Sequence, residues 1–191
     1  VSGLVGKDLP RAMALSSLSL RPSPSLEGWR RLNLAAGWDD FVGAARWIEA
    51  PQLAMPYADV DGNIGYWVTG KGPVRAKGQG LAPAPGWDGE HEWVGEVPFE
   101  EMPHALNPLE GWVVTANHRI VADGYPHFLG AAWMNGWRAR RIEEVLAEKK
   151  TGFTAADFRA LQADLVCLPG RELVARLAGA QGAASDENAA L

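Results

Sequence analysis

The chain has 191 residues, of which 47% are hydrophobic and 21% charged, with a formal net charge of −5. That length is enough for a domain with a real core, the acidic balance carries no basic footprint for nucleic acid, and no apolar run approaches the roughly 18–20 residues of a membrane span. The single cysteine, Cys167, excludes an internal disulfide and a multi-cysteine metal site. Its neighbours Leu165, Val166 and Leu168 predict a buried structural thiol.

In chain order, Met13 to Leu20 is expected to be a strand, broken by Arg21-Pro22-Ser23-Pro24. Ser25 is expected to cap a helix from Leu26 to Ala36 closed by Gly37, and Asp39 to cap a second helix with Phe41, Ala44, Ala45 and Ile48 on one face, ending before Pro51. Ala54 to Gly70 is the clearest hairpin: Asp61-Gly62 is a turn dipeptide, and Ile64, Tyr66 and Val68 alternate after it. Asp59, Asp61 and Asn63 resemble the start of a calcium loop. The pattern fails where the sharp-turn glycine and the closing glutamate belong, occupied here by Ile64 and Gly70, so these residues are read as turn chemistry.

Gly70 to Gly89, rich in Gly and Pro, is expected to be a long shaped loop. The four histidines, 91, 104, 118 and 127, have no partners at metal-ligand spacing. Trp112, Val113 and Val114 predict a short strand buried on both faces that runs into Thr115-Ala116-Asn117. Two readings of Asn117 stand side by side. Its amide, at a strand end, can be aimed into a cleft to stabilise an oxyanion, or it is a turn-forming residue satisfying its own backbone.

A helix is predicted from Trp137 to Lys150, with Ile142, Val145 and Leu146 on its apolar face. Arg138, Arg140 and Arg141 crowd its first turns, where the helix dipole disfavours cations. Either they are solvated, or one of them meets a carboxylate or a ligand. Thr154 is expected to cap a helix from Ala155 to Leu168, with Asp157 completing a capping box, Phe153 stapling onto Phe158, and Phe158, Leu161 and Leu165 as its core stripe. Arg171 to Leu177 adds a helical turn or two, and residues 178–191 read as a linker or truncated helix, with a capped helix start at Ser185. The tryptophans are expected to be core or loop anchors, with an aromatic surface for a flat apolar or sugar ligand as the alternative.

Several stretches, in order, resemble one family. They are Trp38-Asp39-Asp40-Phe41, Tyr57-Ala58-Asp59 with Asp61-Gly62-Asn63-Ile64-Gly65-Tyr66, Pro83-Ala84-Pro85-Gly86-Trp87-Asp88-Gly89, and Trp93-Val94-Gly95. After these come Pro98-Phe99-Glu100-Glu101-Met102-Pro103, Asn107-Pro108, Thr115-Ala116-Asn117, Tyr125-Pro126 and Arg138-Ala139-Arg140-Arg141-Ile142. Together they resemble the penicillin amidase (penicillin acylase) family, which includes acyl-homoserine-lactone acylases, over residues 14–168.

That resemblance implies an N-terminal-nucleophile hydrolase. In such enzymes an autoproteolytic precursor yields a small and a large chain, and the new terminal Ser of the large chain attacks an amide with its own α-amino group as base. The fold implied is α+β: antiparallel strands of the αββα sandwich with packed helices. Residues 1–191 would be a single interior fragment of the large chain. Asn117 matches the family's oxyanion-hole Asn, and Arg138 the Arg that supports the active site. The implied function is removal of an acyl side chain from a small amide, of β-lactam or acyl-homoserine-lactone type.

Some positions depart from the family pattern. Gln52-Leu53-Ala54-Met55-Pro56 replaces Gln-Asn-Phe before Tyr-Ala-Asp, and His118 stands where a second Asn is usual. The nucleophile is not visible: Val1 has no attacking atom, and Ser2-Gly3-Leu4 does not resemble the nucleophile segment. The chain alone is therefore expected to be inactive, and its partners to be the remainder of the acylase and a small-molecule amide, with no nucleic acid and no membrane. No cofactor is expected, and no metal is assigned. The resemblance implies a periplasmic or secreted location. The reading from another class is a non-catalytic binding module that keeps the fold; an open reading frame carrying an upstream Ser would favour the enzyme.

Overall fold

The computed structural model describes residues 13–181; the expectations for Val1, Ser2 and the helix start at Ser185 lie outside them. The fold is α+β, with five helices and five strands among the described residues, in two compact units. Of the described residues, one comprises 13–115 together with Arg119–Trp133, the other Ala116–His118 together with 134–181. No helix among the described residues is long and apolar enough to cross a membrane.

The first unit is built on a three-stranded antiparallel sheet. Strands β1 (Ala54–Ala58) and β2 (Ile64–Val68) form the expected hairpin, and β5 (His104–Leu106) pairs with the other edge of β2. The hairpin turn is closed by the Asp59 carboxylate, which accepts the backbone N–H groups of Asp61 (3.0 Å) and Asn63 (2.9 Å), the Asn63 side-chain amide (2.8 Å) and the Tyr57 hydroxyl (2.8 Å). These bonds hold its carboxyl below the usual range, the Asn63 amide contributing most. Asn107 braces the same end, its Oδ1 accepting Ile64 N–H and its Nδ2 donating to Asn63 Oδ1, both at 3.0 Å.

Side chains from other elements cover both faces of β2, so simple alternation fails: Gly65, Trp67 and Val68 are all buried. Val68 packs with Val97 and Met102, flanked by Tyr66, Ile120 and Leu129. Trp67 stacks on Phe99 (4.7 Å between ring centroids) and on His104 (3.9 Å), while Trp38 reaches Tyr57 (5.2 Å) and Trp67 (6.2 Å). Gly65 makes room for that contact: a Cβ there would sit 2.6 Å from the Ala105 carbonyl and 2.8 Å from the Trp38 ring. Trp38 opens helix α2 (Trp38–Ala45), which packs against α1 (Ser25–Leu32). Phe41, Ala44, Ala45 and Ile48 are buried as their spacing requires.

Five expectations are corrected in this unit. Asp39 is not the cap of α2 but its second residue, the N-cap being Gly37, and α2 ends at Ala45. Met13 to Leu20 is not a strand but irregular chain followed by a 3₁₀ turn at Leu18–Leu20. Ser25 is the first residue of α1 rather than its cap, and its hydroxyl accepts instead from Glu49 (3.0 Å) and Ala50 (3.3 Å), tying α1 to the chain after α2; α1 ends at Leu32. The Gly- and Pro-rich loop contains a strand, β3 (Pro73–Arg75), which pairs antiparallel with β4 (Trp93–Glu96) across a bulge. Finally, Trp112 to Val114 is half-buried but forms no ladder. β-propensity supplies side chains suited to a sheet, but a strand also needs a neighbour for its N–H and C=O groups, and none pairs with it among the described residues.

The second unit is helical: α3 (Trp137–Lys149), α4 (Ala155–Gln162) and α5 (Leu168–Gln181). Ala139 and Leu146 of α3 are buried, as is Leu168. The capping box at α4 forms as its sequence predicts, and Phe153 lies 5.5 Å from Phe158. α4 stops at Gln162, short of the expected Leu168. Asp164 turns back to Arg141 (2.8 Å) and to Val166 N–H (2.9 Å), and Pro169 fits only a first helical turn, so a new helix starts there. With the break, Leu165 (94% exposed) leaves the predicted core stripe and Cys167 is exposed rather than buried; Phe158 of that stripe is exposed as well.

The capping box gives the unit an acid-sensitive point. Asp157 accepts from Lys149 Nζ, Thr154 N–H and Thr154 Oγ1, each at 2.6 Å, and these bonds, the Lys149 ammonium first, hold its carboxyl far below the ordinary range. A carboxyl depressed on folding stabilises above its unfolded value of about 3.9 and loses that contribution as pH falls through the folded value. Asp157→Asn is therefore expected to lower the thermal midpoint at neutral pH and to flatten its decline below about pH 4. Thermal melts followed by circular dichroism across that range test this; parallel pH profiles for the two proteins would contradict it.

Candidate active site

The candidate site lies wholly within the helical unit and joins a three-residue turn, Ala116-Asn117-His118, to the start of α3. Asn117 occupies the left-handed region, with φ of 60°, which Asn tolerates better than most residues because of its short polar side chain. Its carbonyl accepts the N–H of Met134 at 2.9 Å. Ala116 is buried, and its N–H donates to His118 Nδ1 at 3.4 Å.

Arg138 is the second residue of α3, whose N-terminus has no side-chain cap. Its guanidinium nitrogen Nη2 donates to the Ala116 carbonyl and to Asn117 Oδ1, both at 2.7 Å. The three arginines that oppose the helix dipole thus all have partners. Arg140 bonds Glu172 at 2.7 Å, and Arg141 bonds Asp164 at 2.8 Å and Glu144 at 3.3 Å. Arg138 alone of the three spends its donors on neutral oxygens.

The chemistry follows from donor counting. Guanidinium has no acceptor, so the Asn117 atom facing it is the amide oxygen. The amide nitrogen then keeps its two N–H donors, and it has no protein partner among the described residues. A cation held against the amide oxygen also polarises the group and strengthens those donors. Fixed N–H donors beside an exposed turn suit a developing negative oxygen. The structure thus brings together the two predicted site residues, Asn117 and Arg138, 21 positions apart. The bonds that His118 and the Met134 N–H make to this turn could not be read from periodicity, and the sequence marks His118 only as a departure from the family pattern.

Elsewhere, Asp88, Glu90 and His91 have ligand atoms within 4.8 Å of one another, a grouping not foreseen from spacing. Glu90 is paired with Lys77 Nζ at 2.6 Å, and His91 Nδ1 lies 3.3 Å from the Lys77 carbonyl. No metal is assigned to them.

Comparison with known proteins gives a consistent result. A family model described as penicillin amidase matches residues 1–191. An acyl-homoserine lactone acylase of Pseudomonas fluorescens is 36% identical over 138 residues, 72% of this chain and 17% of that protein. The penicillin acylase 2 proenzyme of a Pseudomonas species is 43% identical over 106 residues, 56% of this chain and 14% of that protein. Among solved structures, a thermostable penicillin G acylase from Alcaligenes faecalis superposes with a TM-score of 0.60 at 29% identity, covering 72% of this chain and 24% of its own. The chain therefore spans about one sixth of the length of these curated relatives.

Proposed function

The chain belongs to the penicillin amidase family, and on that premise we propose that its residues 116–138 supply the oxyanion-stabilising part of an acylase active site. Asn117 Nδ2 donates to the carbonyl oxygen of a small-molecule amide as a nucleophile attacks its carbon and negative charge moves onto that oxygen. Arg138 holds the amide oxygen and the Ala116 carbonyl, so the donor needs no reorganisation when charge appears. The tetrahedral intermediate collapses to an acyl-enzyme with loss of the amine, and water releases the acid. The observation that carries this reading is the Arg138–Asn117 Oδ1 bond at 2.7 Å, which leaves the amide nitrogen free to donate.

The 191 residues act as an interior part of the large chain, with the nucleophile and the small chain supplied by the remainder of the acylase. The share of the relatives' length that they span supports this. The substrate class is a linear amide with a removable acyl group, of the β-lactam or acyl-homoserine-lactone kind, in line with the activities named for the relatives. The test is hydrolysis of a chromogenic acyl-anilide and of both substrate types. The 191 residues alone are expected to release no product, and an acylase in which they stand with a terminal-Ser large chain and its small chain is expected to turn over. Absence of turnover in that assembly, with the nucleophile shown to be reactive, would overturn the assignment.

A further inference from the structure

Resting on the reading of Asn117 as oxyanion donor, we infer that His118 is a positioning residue for the same site, acting through the backbone N–H of Ala116. Three groups converge on the 116–118 turn. Arg138 holds two of its oxygens, Met134 N–H holds the Asn117 carbonyl, and His118 Nδ1 accepts the Ala116 N–H at 3.4 Å. Ala116 is 7% exposed, so its N–H is poorly placed for water, and the His118 imidazole is its partner among the described residues. The bond requires an unprotonated Nδ1, with the ring proton on Nε2. The Ala116 N–H belongs to the Thr115–Ala116 peptide and the Ala116 carbonyl to the Ala116–Asn117 peptide, so His118 and Arg138 hold the two peptides that flank the Ala116 Cα. Asn117, with φ of 60°, follows the second of these peptides, and its side-chain direction depends on how both are held.

An asparagine at 118 would place its Oδ1 at the same branch position as the imidazole Nδ1 and can accept the same N–H. A leucine fills comparable volume with no acceptor. This separates the hydrogen bond from packing.

The experiment is steady-state kinetics on the assembled acylase, with H118L, H118N and Asn117→Ala compared and the fold of each checked by its thermal midpoint. H118L is expected to lower kcat by about tenfold with KM within about twofold, and H118N to return kcat to near the parent value. H118L at the parent kcat, H118N falling as far as H118L, or a change confined to KM would each overturn the role of His118. Asn117→Ala separates the two levels. If it is silent, the oxyanion reading fails and the inference with it; if it is damaging while H118L is silent, only the inference about His118 fails.

Discussion

Asn117→Ala in the assembled acylase is expected to lower kcat by about 10²–10³-fold, with KM little changed. The substitution removes donors that matter most when the substrate oxygen carries charge, so the loss falls on the transition state rather than on ground-state binding. The left-handed backbone at 117 adds a separate effect, since Ala tolerates that region less well than Asn. Asn117→Gly removes the amide without that backbone penalty, so it isolates the chemistry; it is expected to lose kcat as severely as the Ala variant. A Gly variant with parental kcat would show that the amide is not the donor.

Arg138→Leu is expected to cost about 10²-fold in kcat. Losing the guanidinium frees Asn117 Oδ1 and the Ala116 carbonyl together. The amide can then rotate, and its nitrogen faces the oxyanion only part of the time. Arg138→Lys is expected to recover part of the loss, because a single ammonium can reach one oxygen but does not reproduce the planar fork. The sign of coupling is informative. If Arg138 acts through Asn117, Arg138→Leu in the Asn117→Ala background should add little. Full additivity would give Arg138 a role of its own.

Part of the candidate site was legible in the sequence. Three arginines in the first turns of α3 oppose the helix dipole, which left open whether they are solvated or one of them meets a carboxylate or ligand; the structure gives each a partner. The resemblance singled out Arg138 and Asn117, and the fold sets them in contact. The capping box at Thr154 and the buried face of α2 were also readable, because caps and helical periodicity are local. What failed was mostly non-local. Trp112 to Val114 has strand-forming side chains but no ladder neighbour among the described residues, and β-propensity cannot report a missing partner. Ser25 sits where a cap is expected, but the distant N–H groups of Glu49 and Ala50 claim its hydroxyl. Cys167 sits among apolar residues in sequence, yet the break after Gln162 exposes it.

The central claim is that Asn117 Nδ2 faces the oxyanion. Its most direct test is a crystal structure of the assembled acylase with a boronic acid bound as a tetrahedral adduct of the nucleophile. The oxygen standing for the oxyanion is expected within about 2.7–3.1 Å of Asn117 Nδ2, with Arg138 still on Asn117 Oδ1. An adduct whose oxygen is met by other donors, with the Asn117 amide turned away from it, would contradict the account.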